Sequence, residues 1–253
     1  MVAKSTRKRL DILLVERGLA DSRQKAQAMI LAGEVEIGGE KAQKAGLQVD
    51  ETAKLEVRSR LQKYASRGGF KLEGALENCH VSAEGRICLD VGSSTGGFTD
   101  CLLQHGAIRV YALDVNTDQL AWKLCEDPRV VKIEKNAREL AAQDVPEQVN
   151  LMVIDVSFIS VSKVLPAACS CLKENGDLLI LVKPQFELDR KDVGKGGIVK
   201  DTKLHEKAVS NVRRTAESLG LAILGVVPSR LAGAEGNQEY FLHARKAPKV
   251  KSD

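Results

Sequence analysis

Ile87-Cys88-Leu89-Asp90-Val91-Gly92-Ser93-Ser94-Thr95-Gly96-Gly97-Phe98-Thr99-Asp100 is the stretch on which the reading of this chain turns. It opens with a short apolar run ending in an acid, as a buried parallel strand does. Glycines and small hydroxyl residues follow at once, and Phe98, Leu102 and Leu103 then begin a helical apolar face. Strand, glycine turn and helix in that order put bare backbone N–H groups and a helix N-terminus at the carboxyl edge of a sheet. Nucleotide-like ligands bind there in open α/β folds.

Three ligand chemistries compete for such a loop. A phosphate-binding P-loop needs Gly-x-x-x-x-Gly-Lys-Ser/Thr, and Gly92, Gly97 and Thr99 fall in register, but Phe98 occupies the lysine position. The dinucleotide fingerprint Gly-x-Gly-x-x-Gly fails because Ser94 stands at its second glycine. A cofactor with an adenosine but no phosphate, S-adenosyl-L-methionine, suits the turn, with Asp90 near its cationic amino acid end. Asp114 follows the next apolar run, about 20 residues on, where a carboxylate can hold ribose hydroxyls. The plain alternative is a tight strand-to-helix turn with no ligand.

Outward from the loop, the body alternates strand and helix patterns. Strands are expected at 87–91, 109–113, 130–133, 151–154, 178–182, 221–227 and 239–244, with helices between the early ones and a long helix over about 202–219. The last two strands leave no room for a crossover helix and predict an antiparallel hairpin at one edge. The expected class is α/β: a Rossmann-like, mostly parallel seven-stranded sheet with an antiparallel edge hairpin, preceded by a small α+β domain. By analogy of fold this is the usual architecture of S-adenosylmethionine-dependent methyltransferases. The glycine-bearing segment 187–200 reads as a lid or as a floppy connection.

The front of the chain has a different character. Residues 1–70 carry 14 Lys+Arg against 9 Asp+Glu, so the remainder carries 24 against 25 and the whole excess of positive charge lies in the first part. A small basic module on a near-neutral body points to a polyanionic partner. Leu10, Leu13 and Leu14 predict a short helix ending near Gly18; Asp21 with Gln24 predicts the cap of a second, with Ala26, Met29 and Ile30 inward and Gly33 past its end. Val35-Glu36-Ile37, 47–49 and 55–57 read as strands, with Gly38-Gly39 as a hairpin turn. Arg7, Lys8, Arg9, Arg23 and Lys25 would extend from the helical side, either to meet RNA or as an ordinary solvated face, and Lys4 in the basic N-terminus is a further RNA-binding candidate. The expected division is 1–59 for this domain, 60–70 for a linker broken by Gly68-Gly69, 71–247 for the body and 248–253 for a tail.

Composition narrows the function classes. Six cysteines lie scattered without C-x-x-C spacing and read as free thiols of a reducing cytoplasm, and four dispersed histidines argue for no metal site. No apolar run approaches the ~18 to 20 residues of a membrane span. The basic N-terminus lacks the apolar stretch and cleavage site of a secretory signal, and a monomer is the default expectation.

Leu10-Asp11, Arg23, Ala26, Ile30, Gly33, Val35 and Gly38 resemble the S-four-type RNA-binding domain of a small-subunit ribosomal protein, pseudouridine synthases and tyrosyl-tRNA synthetases. Five further motifs, in order along the body, resemble the TlyA (haemolysin A) family: Ser66-Arg67-Gly68-Gly69-x-Lys71-Leu72; Asp90-Val91-Gly92-x-Ser94-Thr95-Gly96-Gly97-Phe98-Thr99; Asp155-x-Ser157-Phe158-Ile159-Ser160; Val182-Lys183-Pro184-Gln185-Phe186-Glu187; and Gly236-Asn237-x-Glu239-Tyr240-Phe241. The resemblance implies a ribosomal RNA cytidine 2′-O-ribose methyltransferase related to the FtsJ heat-shock methyltransferases. Carried over residue by residue, it implies a Lys-Asp-Lys-Glu catalytic set on Lys71, Asp155, Lys183 and Glu239. It places S-adenosyl-L-methionine against Asp90, Gly92, Ser94, Thr95, Gly96, Gly97, Phe98, Thr99, Asp114, Asn136, Ala137 and Asp155, and RNA against the basic residues above together with Arg67. Lys183 would take the proton of the attacking hydroxyl, with Asp155 and Glu239 orienting the two lysines. A membrane-lysing protein and an RNA-binding protein with an inactive methyltransferase fold stand as alternatives.

Overall fold

The computed structural model describes residues 7–20, 22–57, 63–233 and 236–248. They fall into two compact units, 1–63 and 64–253.

In the first unit, β1 (Arg7–Arg9) leads directly into α1 (Leu10–Glu16), and α2 (Arg23–Leu31) follows. Three short strands come next, β2 (Val35–Ile37), β3 (Glu40–Lys41) and β4 (Gln48–Asp50), and then β5 (Leu55–Val57). Leu10, Leu14, Ala26, Ile30, Val35 and Val57 close a small core between the helices and the strands, as their helical and alternating spacing requires. Two expectations change. Arg7, Lys8 and Arg9 form an edge strand antiparallel to β4 rather than extending from the helices. The cap of α2 is Ser22, whose Oγ accepts from the Lys25 N–H at 3.2 Å, while Asp21 lies outside the described residues.

The second unit begins with Tyr64, fully buried, and α3 (Gly68–Asn78). Gly68-Gly69 therefore starts a helix instead of breaking one. A side chain at Gly69 would overlap the Tyr64 ring, so the bare backbone is what lets α3 settle over that tyrosine. A seven-stranded sheet follows: β6 (Ile87–Val91), β7 (Arg109–Asp114), β8 (Val130–Glu134), β9 (Val149–Ile154), β10 (Leu172–Val182), β11 (Leu221–Pro228) and β12 (Tyr240–Lys246). Their spatial order is β11-β12-β10-β9-β6-β7-β8. Strands β8, β7, β6, β9 and β10 are parallel, and β12 inserts antiparallel between β10 and the edge strand β11. Central strands covered on both faces need continuous apolar runs, which β6, β9 and β10 supply through Leu89, Met152, Ile154, Leu178 and Ile180. Each such side chain contributes about 1.5–3 kcal/mol on burial.

The crossover helices are shorter than the alternation predicts. α4 (Gly97–Gln104) is full, but α5 (Trp122–Cys125) is one turn, only 3-10 turns join β8 to β9, and α6 (Leu165–Cys169) is brief. The edge strand β8 is largely exposed, so little apolar surface there needs a helix to cover it. α7 (Pro184–Glu187) follows β10, and α8 (Thr202–Ser218) packs on the sheet through Ala208, Val212 and Ala216. The glycine-bearing segment before α8 is pinned: Asn237 Oδ1 accepts from Val199 N–H and its Nδ2 donates to the Gly197 carbonyl, both at 2.8 Å. All six cysteines are free, and no helix among the described residues is long and apolar enough to cross a membrane.

Candidate active site

Parallel strands bring their carboxyl ends to one edge, and sheet register determines which residues meet there. Val91 pairs with Leu113 and with Ile154, the last residue of β9, so Gly92 and Asp155 stand one residue past their strands and Asp114 closes β7 beside them. Val182 pairs with Tyr240, which sets Lys183 level with Glu239 across the antiparallel ladder. β6 lies where the order of strands turns back, between β7 and β9, the place at which open α/β sheets form a crevice.

Gly92 bridges two strands: its N–H bonds the Leu113 carbonyl, and a Cβ on it would overlap the carbonyl oxygen of Asp155. Its φ of +89° also lies where only glycine is unstrained. The loop 92–96 thus approaches the ends of β7 and β9 closely and leaves hollows on both sides of itself. One, of about 220 Å³, is lined by Ser66, Arg67, Lys71, Ser94, Phe98 and Asp155 among others. The other, of about 350 Å³, is lined by Asp114, Asn136, Ala137, Val156 and Phe158 among others. Gly92, Ser94 and Asp155 belong to both, so the two join around the loop.

The acids of the loop differ in state. Asp90 is fully buried, and desolvation pushes its carboxyl up to about 7 despite the Thr99 hydroxyl donating to Oδ2 at 2.7 Å. Its Oδ1 and the Ser93 hydroxyl are buried with no hydrogen-bond partner. Asp114 is at the surface of the second hollow and holds the loop by accepting from Ser94 N–H at 2.9 Å.

Two lysine–carboxylate pairs complete the edge. Lys183 Nζ lies 2.6 Å from Asp155 Oδ1 and donates to Ser157 Oγ at 2.8 Å. Lys71 Nζ, delivered from the first turn of α3, lies 2.6 Å from Glu239 Oε2. Glu239 is 2% exposed and Lys183 about 10%, so these charges are held by one another more than by water. All four residues singled out in the sequence gather here, although they are up to 168 positions apart. Among the described residues, no group of His, Cys, Asp and Glu could hold a metal ion.

The structure sorts the remaining sequence-derived residues. Gly92, Ser94, Thr95, Gly97 and Phe98 line the first hollow, and Asn136 and Ala137 line the second. Thr99 sits behind the loop, bonded to Asp90, and Gly96 packs under Leu124 and Leu120. Arg67 is exposed at the rim of the first hollow. In the first unit Arg9 and Arg23 are not free cations: Arg9 Nη2 and Arg23 Nε both donate at 2.9 Å to Asp11 Oδ2, which is fully buried. Lys8 pairs with Glu16 and Glu51. Arg7 and Lys25 are exposed, and Lys4 lies outside the described residues. Sequence reasoning missed Asp11 as an anchor and Asn237 as a clamp. An acid inside an otherwise apolar helical face was the available signal for Asp11.

Known proteins match both units. Residues 64–246 match the FtsJ-like methyltransferase model and residues 8–55 the S4 domain. The chain is 48% identical to the 16S/23S rRNA (cytidine-2'-O)-methyltransferase TlyA of Mycobacterium tuberculosis, covering 94% of this chain and 90% of that protein. It is 44% identical to Hemolysin A of Brachyspira hyodysenteriae, covering 93% and 98%. A solved structure from Streptococcus thermophilus has 38% identity and a TM-score of 0.74, covering 99% of this chain and 92% of that one. An S-adenosylmethionine dependent methyltransferase from Mesorhizobium loti shares the fold at a TM-score of 0.52 and 15% identity, covering 70% of this chain and 98% of that one.

Proposed function

The chain belongs to the FtsJ-like methyltransferase family, and we propose that it methylates the 2′-hydroxyl of a cytidine in ribosomal RNA with Lys71, Asp155, Lys183 and Glu239 as its catalytic set. The observation that carries this reading is the convergence of two lysine–carboxylate pairs, each at 2.6 Å, at the rim of the glycine loop.

The residues present fit S-adenosyl-L-methionine. The bare Cα of Gly92 and the unpartnered Ser93 Oγ line the first hollow, and the unpartnered Asp90 Oδ1 is buried outside both hollows, so the loop has spare polar capacity. Asp114 would hold ribose hydroxyls, and Asn136 and Ala137 with Val156 would enclose the adenine in the second hollow. When bound, the cofactor supplies an electrophilic methyl group on a sulfonium that leaves as a neutral thioether, so no general acid is required.

The chain's own residues must align the nucleophile and accept its proton. Lys183 acts in its neutral form, its own proton having first passed to solvent, and takes the proton of the ribose 2′-hydroxyl as the oxygen gains the methyl group. Asp155 fixes the Lys183 amine and Glu239 fixes that of Lys71, which steadies the ribose oxygen from the other side. In this reading the S4 domain brings the ribosomal RNA, and the protein works as a cytoplasmic monomer. Lys183→Ala should bind the cofactor with unchanged affinity by calorimetry and transfer no labelled methyl group to ribosomal subunits. Full turnover by that variant would overturn the assignment of the base.

A further inference from the structure

Two loops carry the Lys183–Asp155 pair, and a third contact between them lies outside both hollows. The loop after β9 runs from Asp155 to Ser160, and the segment after β10 runs from Lys183 through α7 to Glu187. At their near end Lys183 reaches Asp155 and Ser157. In the middle the rings of Phe158 and Phe186 stand 5.4 Å apart. At the far end Glu187 Oε2 accepts from the Ser160 hydroxyl at 2.6 Å and Oε1 from the Val161 N–H at 2.7 Å.

We propose that Glu187 is a positioning residue for methyl transfer: its carboxylate closes the far end of a two-loop clasp and so fixes the spacing of Asp155 and Lys183. The inference rests on the reading of Lys183 as base. Glu187 is built for the task. Its own backbone carbonyl accepts from Asn211 Nδ2 at 3.1 Å, which moors it to α8. Ser160 is moored in turn, since its Oγ accepts from Ser162 N–H and caps the 3-10 turn Val161–Lys163. Among the described residues no ion pair engages Glu187, so its contribution to the clasp is the pair of hydrogen bonds that its two oxygens accept. The Phe158 backbone, at φ +64°, is a conformation that a bulky residue holds only under restraint from both sides. Glu187 provides that restraint two residues further on.

The geometry distinguishes two substitutions. Glutamine can keep both contacts, accepting from Val161 N–H through Oε1 and donating to Ser160 Oγ through Nε2. Alanine keeps neither. Turnover at saturating cofactor and ribosomal RNA should fall on the order of 10- to 100-fold in Glu187→Ala, and stay within about threefold of wild type in Glu187→Gln, with KM for RNA moved less than about twofold in both. Circular dichroism should show both folded at the assay temperature. Wild-type turnover in Glu187→Ala, or a Glu187→Gln as impaired as Glu187→Ala, would overturn the proposal. Should Glu187→Ala not fold, Ser160→Ala removes one contact and should lose roughly three- to tenfold in turnover. Unchanged turnover there overturns it equally. Wild-type protein that binds the cofactor but methylates no ribosomal RNA would instead strike at the proposed function, and this inference with it.

Discussion

Gly92 and Asp155 stand at matching positions one residue past β6 and β9, so close that the glycine's missing side chain is where the aspartate's carbonyl oxygen sits. That contact joins the glycine loop to the edge that carries Asp155 and Lys183. The carboxylate of the same Asp155 meets Lys183. Gly92→Ala would meet both the overlap and the positive φ, and should cost about 2–4 kcal/mol of stability. It should also abolish measurable cofactor binding. Urea unfolding and calorimetry check the two effects, and an alanine variant with native affinity would refute the close approach.

Glu239 is buried, and among the described residues one cation, Lys71, lies on its Oε2. Glu239→Gln keeps the shape and removes the charge, leaving Lys71 without its counterion. Methyl transfer should drop on the order of 100-fold with cofactor affinity unchanged. A filter-binding methylation assay alongside calorimetry separates the two, and loss of affinity equal to the loss of rate would place Glu239 in the cofactor site instead.

Much of this edge was legible in the sequence because each functional residue ends an apolar run. Asp90 and Asp114 lie at the ends of strands, and Asp155 and Lys183 follow theirs; the pattern placed the limits of all four strands within a residue or two at this end. Register does the rest: parallel strands of known polarity leave their C-terminal residues at one edge. What could not be read depends on contacts between distant segments. Nothing local to Arg9 or Arg23 says that both turn inward to Asp11, since a basic residue before a helix looks the same when solvated. Gly68-Gly69 read as a helix breaker because Tyr64, whose ring fills the space of the missing Cβ, lies across a turn of chain.

With S-adenosyl-L-methionine in the hollow beside the loop, the buried Asp90 carboxyl should make its binding depend on pH. Its folded carboxyl holds a proton up to about 7, against an unfolded value near 4. The stability it contributes without ligand is therefore complete below about 4 and is lost as pH rises toward about 7. A cationic ligand in the adjoining hollow favours the ionised form and expels that proton. Affinity should rise about tenfold from pH 6 to pH 8, with proton release visible in buffers of different ionisation enthalpy. In Asp90→Asn the profile should be flat, and a flat profile in the wild type would disprove the linkage.

Asp11 organises the S4 domain by accepting from Arg9, Arg23 and Gln27 at 2.8–3.0 Å. Hydrogen bonds from Arg9 outweigh burial and hold its carboxyl well below the usual range. The stabilisation is thus present above about pH 4 and lost only as pH falls further, through the depressed folded value. Asp11→Ala should destabilise this domain by about 1–3 kcal/mol at neutral pH, since the freed arginines can reach water. Limited proteolysis cutting first within residues 7–57 would register it, and unchanged resistance would count against the anchor.

The same anchor divides the basic residues of the domain into two kinds. Arg9 and Arg23 have their guanidinium groups committed to Asp11, whereas Arg7 and Lys25 are exposed and carry no ion pair among the described residues. Only the second kind can neutralise a phosphate without first giving up a carboxylate. Arg7→Ala and Lys25→Ala should therefore weaken ribosomal RNA binding at unchanged melting temperature. Each should also lower the slope of log affinity against log salt by about 0.7–0.9. Arg9→Ala and Arg23→Ala should lower the melting temperature and leave the salt slope of the folded protein as it was. A reduced slope in Arg9→Ala at native stability would mean that Arg9 leaves Asp11 for the RNA, and the buried acid would then be a reserve position for that side chain, not its permanent partner.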